Sequence, residues 1–167
     1  MKGYIAVSLG LAFAASAFSQ DAPIRNFFRV DEQFCTAGQP TLEQLSKLKS
    51  DGIRAVLNLR PPSEHDAAGE ASKVKELGLK YFNIPVEPNT LKDEQVAEFL
   101  KLTDDPQNRP MFIHCGSANR VGAFWLIRRV LRDGWKTDDA GTEAAKIGLS
   151  SAALKDLALR YIESHKK

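Results

Sequence analysis

The chain holds 167 residues, 43% hydrophobic and 26% charged, and its 23 Lys and Arg against 21 Asp and Glu leave a formal charge of +2. This is globular composition, which excludes a disordered, collagenous or coiled-coil chain, and a chain of this size buries enough surface to fold as one domain without a metal or disulfide staple. With charge nearly balanced and no long Lys/Arg run, there is no electrostatic case for a nucleic-acid partner.

Residues 1–19 carry one charge, Lys2, then an apolar stretch from Tyr4 to Phe13 and small residues at Ala14 to Ala17. These are the three regions of a secretory signal peptide, with cleavage expected after Ser19 or Ala17. The apolar stretch falls short of the ~20 residues that span a bilayer. The mature chain, 20–167, is therefore expected in the periplasm or outside the cell, as a single domain with no stable membrane insertion.

Alternation at Phe28-Arg29-Val30 and Phe34-Cys35-Thr36 predicts two short strands before the Gly38-Gln39-Pro40 break. A helix follows, with Thr41 as N-cap, Gln44 three residues on, and Leu42, Leu45 and Leu48 on its apolar face up to Asp51-Gly52. Ile53 to Leu59 reads as a buried strand stopped by Arg60-Pro61-Pro62, and Ala67 to Leu77 as a helix ended by Gly78. Tyr81 to Val86 is a further strand, Leu91 to Leu102 a helix burying Val96, Phe99 and Leu100, and Met111 to His114 a short apolar strand. Beyond the loop from Cys115 to Gly122, helices are predicted over Arg120 to Asp133, Asp138 to Ile147 and Ser150 to Ser164, the last capped by Ser150. Strands alternating with helices predict an α/β fold, a central and mainly parallel sheet flanked by helices.

The chemistry concentrates in His114-Cys115-Gly116-Ser117-Ala118-Asn119-Arg120-Val121-Gly122, where a strand ends in a cysteine and a tight loop leads to an arginine opening a helix. Loop N–H groups beside the positive end of a helix dipole form an anion site and favour a thiolate. Arg120 adds a planar fork matched to an oxyanion, so Cys115 reads as nucleophile, Arg120 as phosphate clamp, and Gly116, Ser117, Ala118 and Asn119 as the loop, with His114 bracing it.

This segment resembles the phosphate-binding loop of cysteine-dependent phosphatases. Thr36-Ala37-Gly38-Gln39-Pro40, Val56-Leu57-Asn58-Leu59-Arg60 followed by Glu64, and Tyr81 with Ile84-Pro85-Val86 are similar in the same order to the bacterial branch of the dual-specificity phosphatase-like superfamily. The resemblance implies phosphate-ester hydrolysis through a phosphocysteine, with no metal or cofactor, acting on a phosphorylated protein or a small phosphoester. It also implies a general acid after the strand holding Ile84-Pro85-Val86, for which Glu87 is the first candidate and Asp93 the second.

Two departures keep alternatives open. Only four residues separate Cys115 from Arg120, one fewer than in active phosphatases of this type, and Val121 stands where the pattern has a Ser or Thr to stabilise the departing thiolate. A non-catalytic phosphate-binding module fits both departures, and a rhodanese-like sulfurtransferase fits the loop length. Arg60 and Glu64 read as a structural pair, and His65 and His165 as surface residues without metal-ligand spacing. In an exported chain the two cysteines suggest either a structural disulfide or a reversible Cys35–Cys115 bond that would silence the nucleophile.

Overall fold

The computed structural model describes residues 23–166, and the expected signal peptide lies outside the described residues. Strand β1 (Phe28–Arg29) turns on Asp31, whose carboxylate accepts the backbone N–H groups of Gln33 and Phe34 at 2.7 and 2.9 Å, and returns antiparallel as β2 (Phe34–Ala37). Helix α1 (Leu42–Ser50) opens on the expected capping box: Thr41 Oγ1 accepts from the Gln44 N–H, and Gln44 Oε1 accepts from the Thr41 N–H. Then follow β3 (Ala55–Asn58), α2 (Ala67–Glu76), β4 (Lys80–Asn83), α3 (Asp93–Asp104) and β5 (Met111–His114). Three helices close the described chain: α4 (Asn119–Leu131), α5 (Thr137–Ile147) and α6 (Ala152–His165).

The five strands form one sheet in the order β1-β2-β5-β3-β4, parallel except at β1. From β2 the chain winds outward through α1 and α2 on one face to β4, then crosses by α3 on the other face to insert β5 at the centre. A central strand flanked on both sides leaves a crevice beyond its carboxyl end, where the connections part to opposite faces. Cys115 stands at that end.

Register explains both cores. In β5, Met111 and Ile113 share a face with Phe34 of β2 and Ala55 and Leu57 of β3, and pack on α3, α4, α5 and α6. Phe112 lies level with Cys35 and Val56 on the other face, against Leu45 and Leu48 of α1 and Val74 of α2. All four residues of β5 are buried, which is why this segment is a continuous apolar run rather than an alternating one. Within α4, Trp125 meets Phe34 edge-on at 5.0 Å between ring centroids, while its indole N–H donates to Glu143 of α5 at 2.9 Å.

The boundaries differ from expectation in two informative places. Strand β4 ends at Asn83 rather than Val86, yet Ile84 and Val86 still donate N–H bonds to Asn58 and Leu59, so the extended chain continues past the strand toward the site. Ser151, not Ser150, caps α6 by accepting the Leu154 N–H at 3.3 Å, and Ser150 is bound instead to Asn119.

Helices α4 and α5 meet closely at Gly122, where an added Cβ would lie 2.8 Å from the Leu149 Cβ and 2.9 Å from the Ala144 carbonyl oxygen. Gly122→Ala should therefore destabilise the fold by about 1–3 kcal/mol, in place of the gain of about 1 kcal/mol usual for glycine to alanine in a helix. Thermal unfolding checks this: a midpoint lowered by several degrees is expected, and an unchanged or raised one contradicts the close approach.

Candidate active site

The loop after β5 is held from outside. The Gly116 carbonyl accepts from the Gln39 N–H at 3.3 Å, and the Ser117 carbonyl accepts from the Asn26 amide at 3.0 Å. The first of these bonds makes Gly38 and Ser117 an isolated antiparallel bridge, which ties the loop to the end of β2. Ala118 makes the turn in the left-handed region, with φ +65°, and is the residue from which α4 begins. Its close neighbour is Gly148, where a Cβ would lie 3.0 Å from the Ala118 Cβ and 3.2 Å from the Ser117 carbonyl oxygen. Asn119 then pins the loop to the α5–α6 junction: its Oδ1 accepts the N–H groups of Ser150 and Ser151, each at 2.8 Å, and its amide donates to Ser150 Oγ at 3.1 Å.

Arg120 is buried and held in a fixed orientation. Its Nη1 and Nη2 donate to the two carboxylate oxygens of Glu64 at 2.9 and 2.7 Å, and Nη1 also donates to the Val86 carbonyl at 2.7 Å. None of these three bonds uses Nε, and Nη2 stands 3.5 Å from where a Cβ on Gly116 would lie, so the edge formed by Nε and Nη2 faces the loop. Burial opposes the guanidinium charge, but the hydrogen bonds it donates to Glu64 and the field of Cys115 outweigh it and strengthen the protonated form. Reciprocally, the hydrogen bond from Arg120 draws the Glu64 carboxyl below its ordinary value, against the effect of burial and with help from Arg60.

Arg60 does pair with Glu64, Nε to Oε2 at 3.2 Å, and it also donates to the Glu64 carbonyl. The pair is more than a strut, because Glu64 Oε2 serves both arginines and so links Arg60 to the clamp. Arg60 Nη1 reaches Gln39 Oε1 at 2.8 Å, and Gln39 Nε2 donates to Glu70 Oε2 at 2.6 Å. Beneath the loop, Glu70 Oε1 accepts from Asn58 at 3.0 Å and lies 2.9 Å from His114 Nε2. Burial raises the Glu70 carboxyl, but the hydrogen bond and charge of His114 and the bond from Gln39 bring it below its ordinary value. Tyr81, in contact with Asn58, is pushed up to about 12 by burial and the nearby Glu70.

Sequence reasoning did not assign Glu64 to the clamp, nor Glu70, Gln39 and Asn58 to the loop's foundation. One signal was available for Glu70: it lies four residues before the buried Val74, on the inward face of α2. His65 is not a free surface residue, since its ring bridges the Asn58 amide at 2.7 Å and the Pro61 carbonyl at 3.1 Å. His165 is exposed at the end of α6 and stacks on Tyr161, 3.9 Å between ring centroids.

The two cysteines are free and do not meet. Cys35 pairs in register with Phe112, three residues before Cys115, which sets it about 10 Å back along the strands, beyond the span of a disulfide. They also belong to opposite faces, Cys35 to the core under α1 and α2 and Cys115 to the core under α3 to α6. Burial pushes the Cys35 thiol up to about 12. The expected Cys35–Cys115 bond, structural or regulatory, is therefore excluded by this arrangement.

The two acid candidates separate. Glu87 is exposed and directly follows Val86, whose carbonyl holds Arg120. Its own carbonyl accepts both the N–H and the hydroxyl of Thr90, and neighbouring Asn89 accepts from Ser151 at 3.2 Å, docking this turn beside Asn119. Asp93 begins α3 and borders a groove with Leu157, Arg160 and Tyr161 of α6, away from the loop. Val121 is buried in the core, and no hydroxyl takes its place on α4's first turn. Among the described residues no group of His, Cys, Asp and Glu is arranged to hold a metal ion, and no helix is long and apolar enough to cross a membrane.

Comparison with known proteins agrees with this architecture. Residues 19–147 match the family described as DSP-PTPase phosphatase fused to NAD+ kinase. Inositol diphosphatase DSP3 of Arabidopsis thaliana is 31% identical over 127 residues, covering 67% of this chain and 62% of that protein. A beta-lactamase hydrolase-like protein of Agrobacterium fabrum is 25% identical over 107 residues, covering 62% of this chain; the chain spans only 25% of that protein's length. Among solved structures, a DUF442 phosphatase from Shewanella putrefaciens superposes with TM-score 0.70 at 26% identity, covering 84% of this chain and 93% of that one. The catalytic core of the PP-IP phosphatase SIW14 of S. cerevisiae shares the fold, with TM-score 0.71 at 23% identity over 85% of this chain and 86% of that one. With a catalytic-loop sequence, a sheet topology and a family match over most of its length in agreement, this chain belongs to the DSP-PTPase phosphatase family, within the dual-specificity-like cysteine phosphatases.

Proposed function

We propose that this protein is an exported cysteine-dependent phosphatase that hydrolyses small phosphoesters through a phosphocysteine. The observation that carries the reading is the Arg120 guanidinium, locked on one edge by Glu64 with its other edge turned to the Cys115 loop. Export rests on the composition of residues 1–19.

In this mechanism the Cys115 thiolate attacks phosphorus in line while Nε and Nη2 of Arg120 and N–H groups of the loop hold the non-bridging oxygens. The bond from phosphorus to the leaving oxygen breaks, and Glu87 supplies the proton that oxygen takes up. Water then attacks phosphorus, its proton passing to the Glu87 carboxylate as the phosphorus–sulfur bond breaks, giving inorganic phosphate and restoring the thiolate. Because relatives include an inositol diphosphatase, an inositol diphosphate is the substrate to try beside simple aryl phosphates and phosphopeptides. A second reading, anion binding without turnover, is favoured by Val121 and by the complete burial of Cys115.

Hydrolysis of an aryl phosphate under reducing conditions decides between them. Cys115→Ser should abolish turnover, Arg120→Lys should lower it about 10²–10³-fold, and vanadate should inhibit. Glu87→Gln should lower kcat by about 10²-fold or more on an alkyl phosphate and less on an aryl one, whose leaving group needs less help. Wild type indistinguishable from Cys115→Ser between pH 5 and 8, on the diphosphate as well, would overturn the catalytic reading in favour of anion binding.

Glu64 gives a separate expectation. A carboxyl held below its unfolded value contributes stability above that value, and the contribution is lost as pH falls through the folded one. Glu64→Gln should therefore show a smaller loss of urea resistance than wild type between about pH 6 and 3. Near neutral pH it should lower kcat/KM by on the order of 10²-fold through a misoriented clamp.

A further inference from the structure

Two sets of bonds meet at one buried carboxylate. Glu70 is 3% exposed, in the first turn of α2, and its two oxygens face different ways. Oε1 is bonded to His114, the residue before Cys115, and to Asn58 at the end of β3. Oε2 accepts from Gln39, which in turn accepts from Arg60, whose Nε shares Glu64 Oε2 with Arg120. Tyr81 and His65 close the cluster through Asn58.

A carboxylate buried to this degree is costly, because it must replace its water with protein donors. Packing alone does not require it: an apolar residue one turn before Val74, on the same face of α2, would fill that position. His114 Nδ1 is itself buried without a partner among the described residues, so the hydrogen bond at Nε2 is what orients the ring. The His114 ring also lies over Phe112, centroids 5.4 Å apart, which confines it to a plane but leaves its in-plane orientation to Glu70.

We propose that Glu70 is a positioning residue that sets two parts of the site at once: the Cys115 nucleophile, through His114, and the Arg120 clamp, through Gln39, Arg60 and Glu64. The geometry joins the strand end that carries the thiol to the arginine fork five residues on, by a route beneath and around the loop rather than along it. Gln39 is the branch point, since its side chain both donates to Glu70 and accepts from Arg60, and its backbone N–H holds the Gly116 carbonyl.

This proposal rests on Cys115 as the reactive thiol, and the test reads that thiol without needing turnover. Alkylation of the mature protein by iodoacetamide, followed on the Cys115 peptide by mass spectrometry, reports the nucleophile. The concentration of inorganic phosphate that halves the alkylation rate reports the clamp. His114→Gln should slow alkylation about 10-fold and leave phosphate protection within about twofold. Gln39→Ala should weaken phosphate protection by a similar factor and leave alkylation within about twofold. Glu70→Gln should do both, and its effect on alkylation should vanish in the His114→Gln background, because a residue acting through a partner adds nothing once the partner is gone. Additive losses in that double variant, or a folded Glu70→Gln protein with both readouts within twofold of wild type, would overturn the proposal. If Glu70→Gln does not fold, the two flanking variants decide: no change in either readout in both of them also overturns it. Failure of aryl phosphate hydrolysis, by contrast, would count against the catalytic reading and leave these measurements interpretable.

Discussion

A single carboxylate between two arginines governs how this site is built. Glu64 sits in a 3-10 turn just after the Arg60-Pro61-Pro62 stop, and its bidentate grip on Arg120 draws the first turn of α4 toward the end of β3. Without a fixed counter-charge, a buried guanidinium would be costly to desolvate and free to rotate. With it, one edge of the fork is committed to the protein and the other stays directed at the loop. The Val86 carbonyl completes the cradle, so the clamp depends on three segments far apart in sequence.

The short loop is accommodated by its surroundings. Ala118 turns in a conformation that costs a β-carbon-bearing residue roughly 1 kcal/mol or more, and it packs against a glycine where a side chain would collide. Asn119 then fastens the helix start to Ser150 and Ser151. These contacts place the α5–α6 junction directly against the loop, and the turn bearing Glu87 rests on the same junction through Asn89. The rim of the site is thus assembled on α6 as much as on the strand carrying the cysteine.

Much of this was legible from residue order. Periodicity and capping signals located the strands and helices, and the Met111 to His114 run matched β5 end for end, because a strand buried on both faces has no competing polar pattern. The loop and Arg120 were legible because their chemistry is local. What escaped was the long-range polar wiring: Glu64 to Arg120 spans 56 residues and His114 to Glu70 spans 44, and no local pattern encodes such a pairing. Asn58-Leu59-Arg60 carries part of the family resemblance, and its reason is physical. Asn58 Oδ1 accepts the Arg60 N–H at 2.8 Å while its amide donates to Glu70, so one side chain turns the backbone and anchors the network. The cysteine pair failed for the complementary reason: two thiols in a sequence that opens like a secreted one invite pairing, but strand alternation sends them to opposite faces.

That separation bears on how the protein would withstand oxidants. Cys35 is the chain's other thiol, and it is sealed in the opposite core and strongly protonated. A sulfenic acid formed at Cys115 would therefore meet no resolving cysteine within its own chain, and an intramolecular disulfide could not shelter it from overoxidation. Recovery would fall to an external small thiol or to ring closure with a neighbouring backbone nitrogen, and the complete burial of Cys115 is the barrier that limits how often the damage begins.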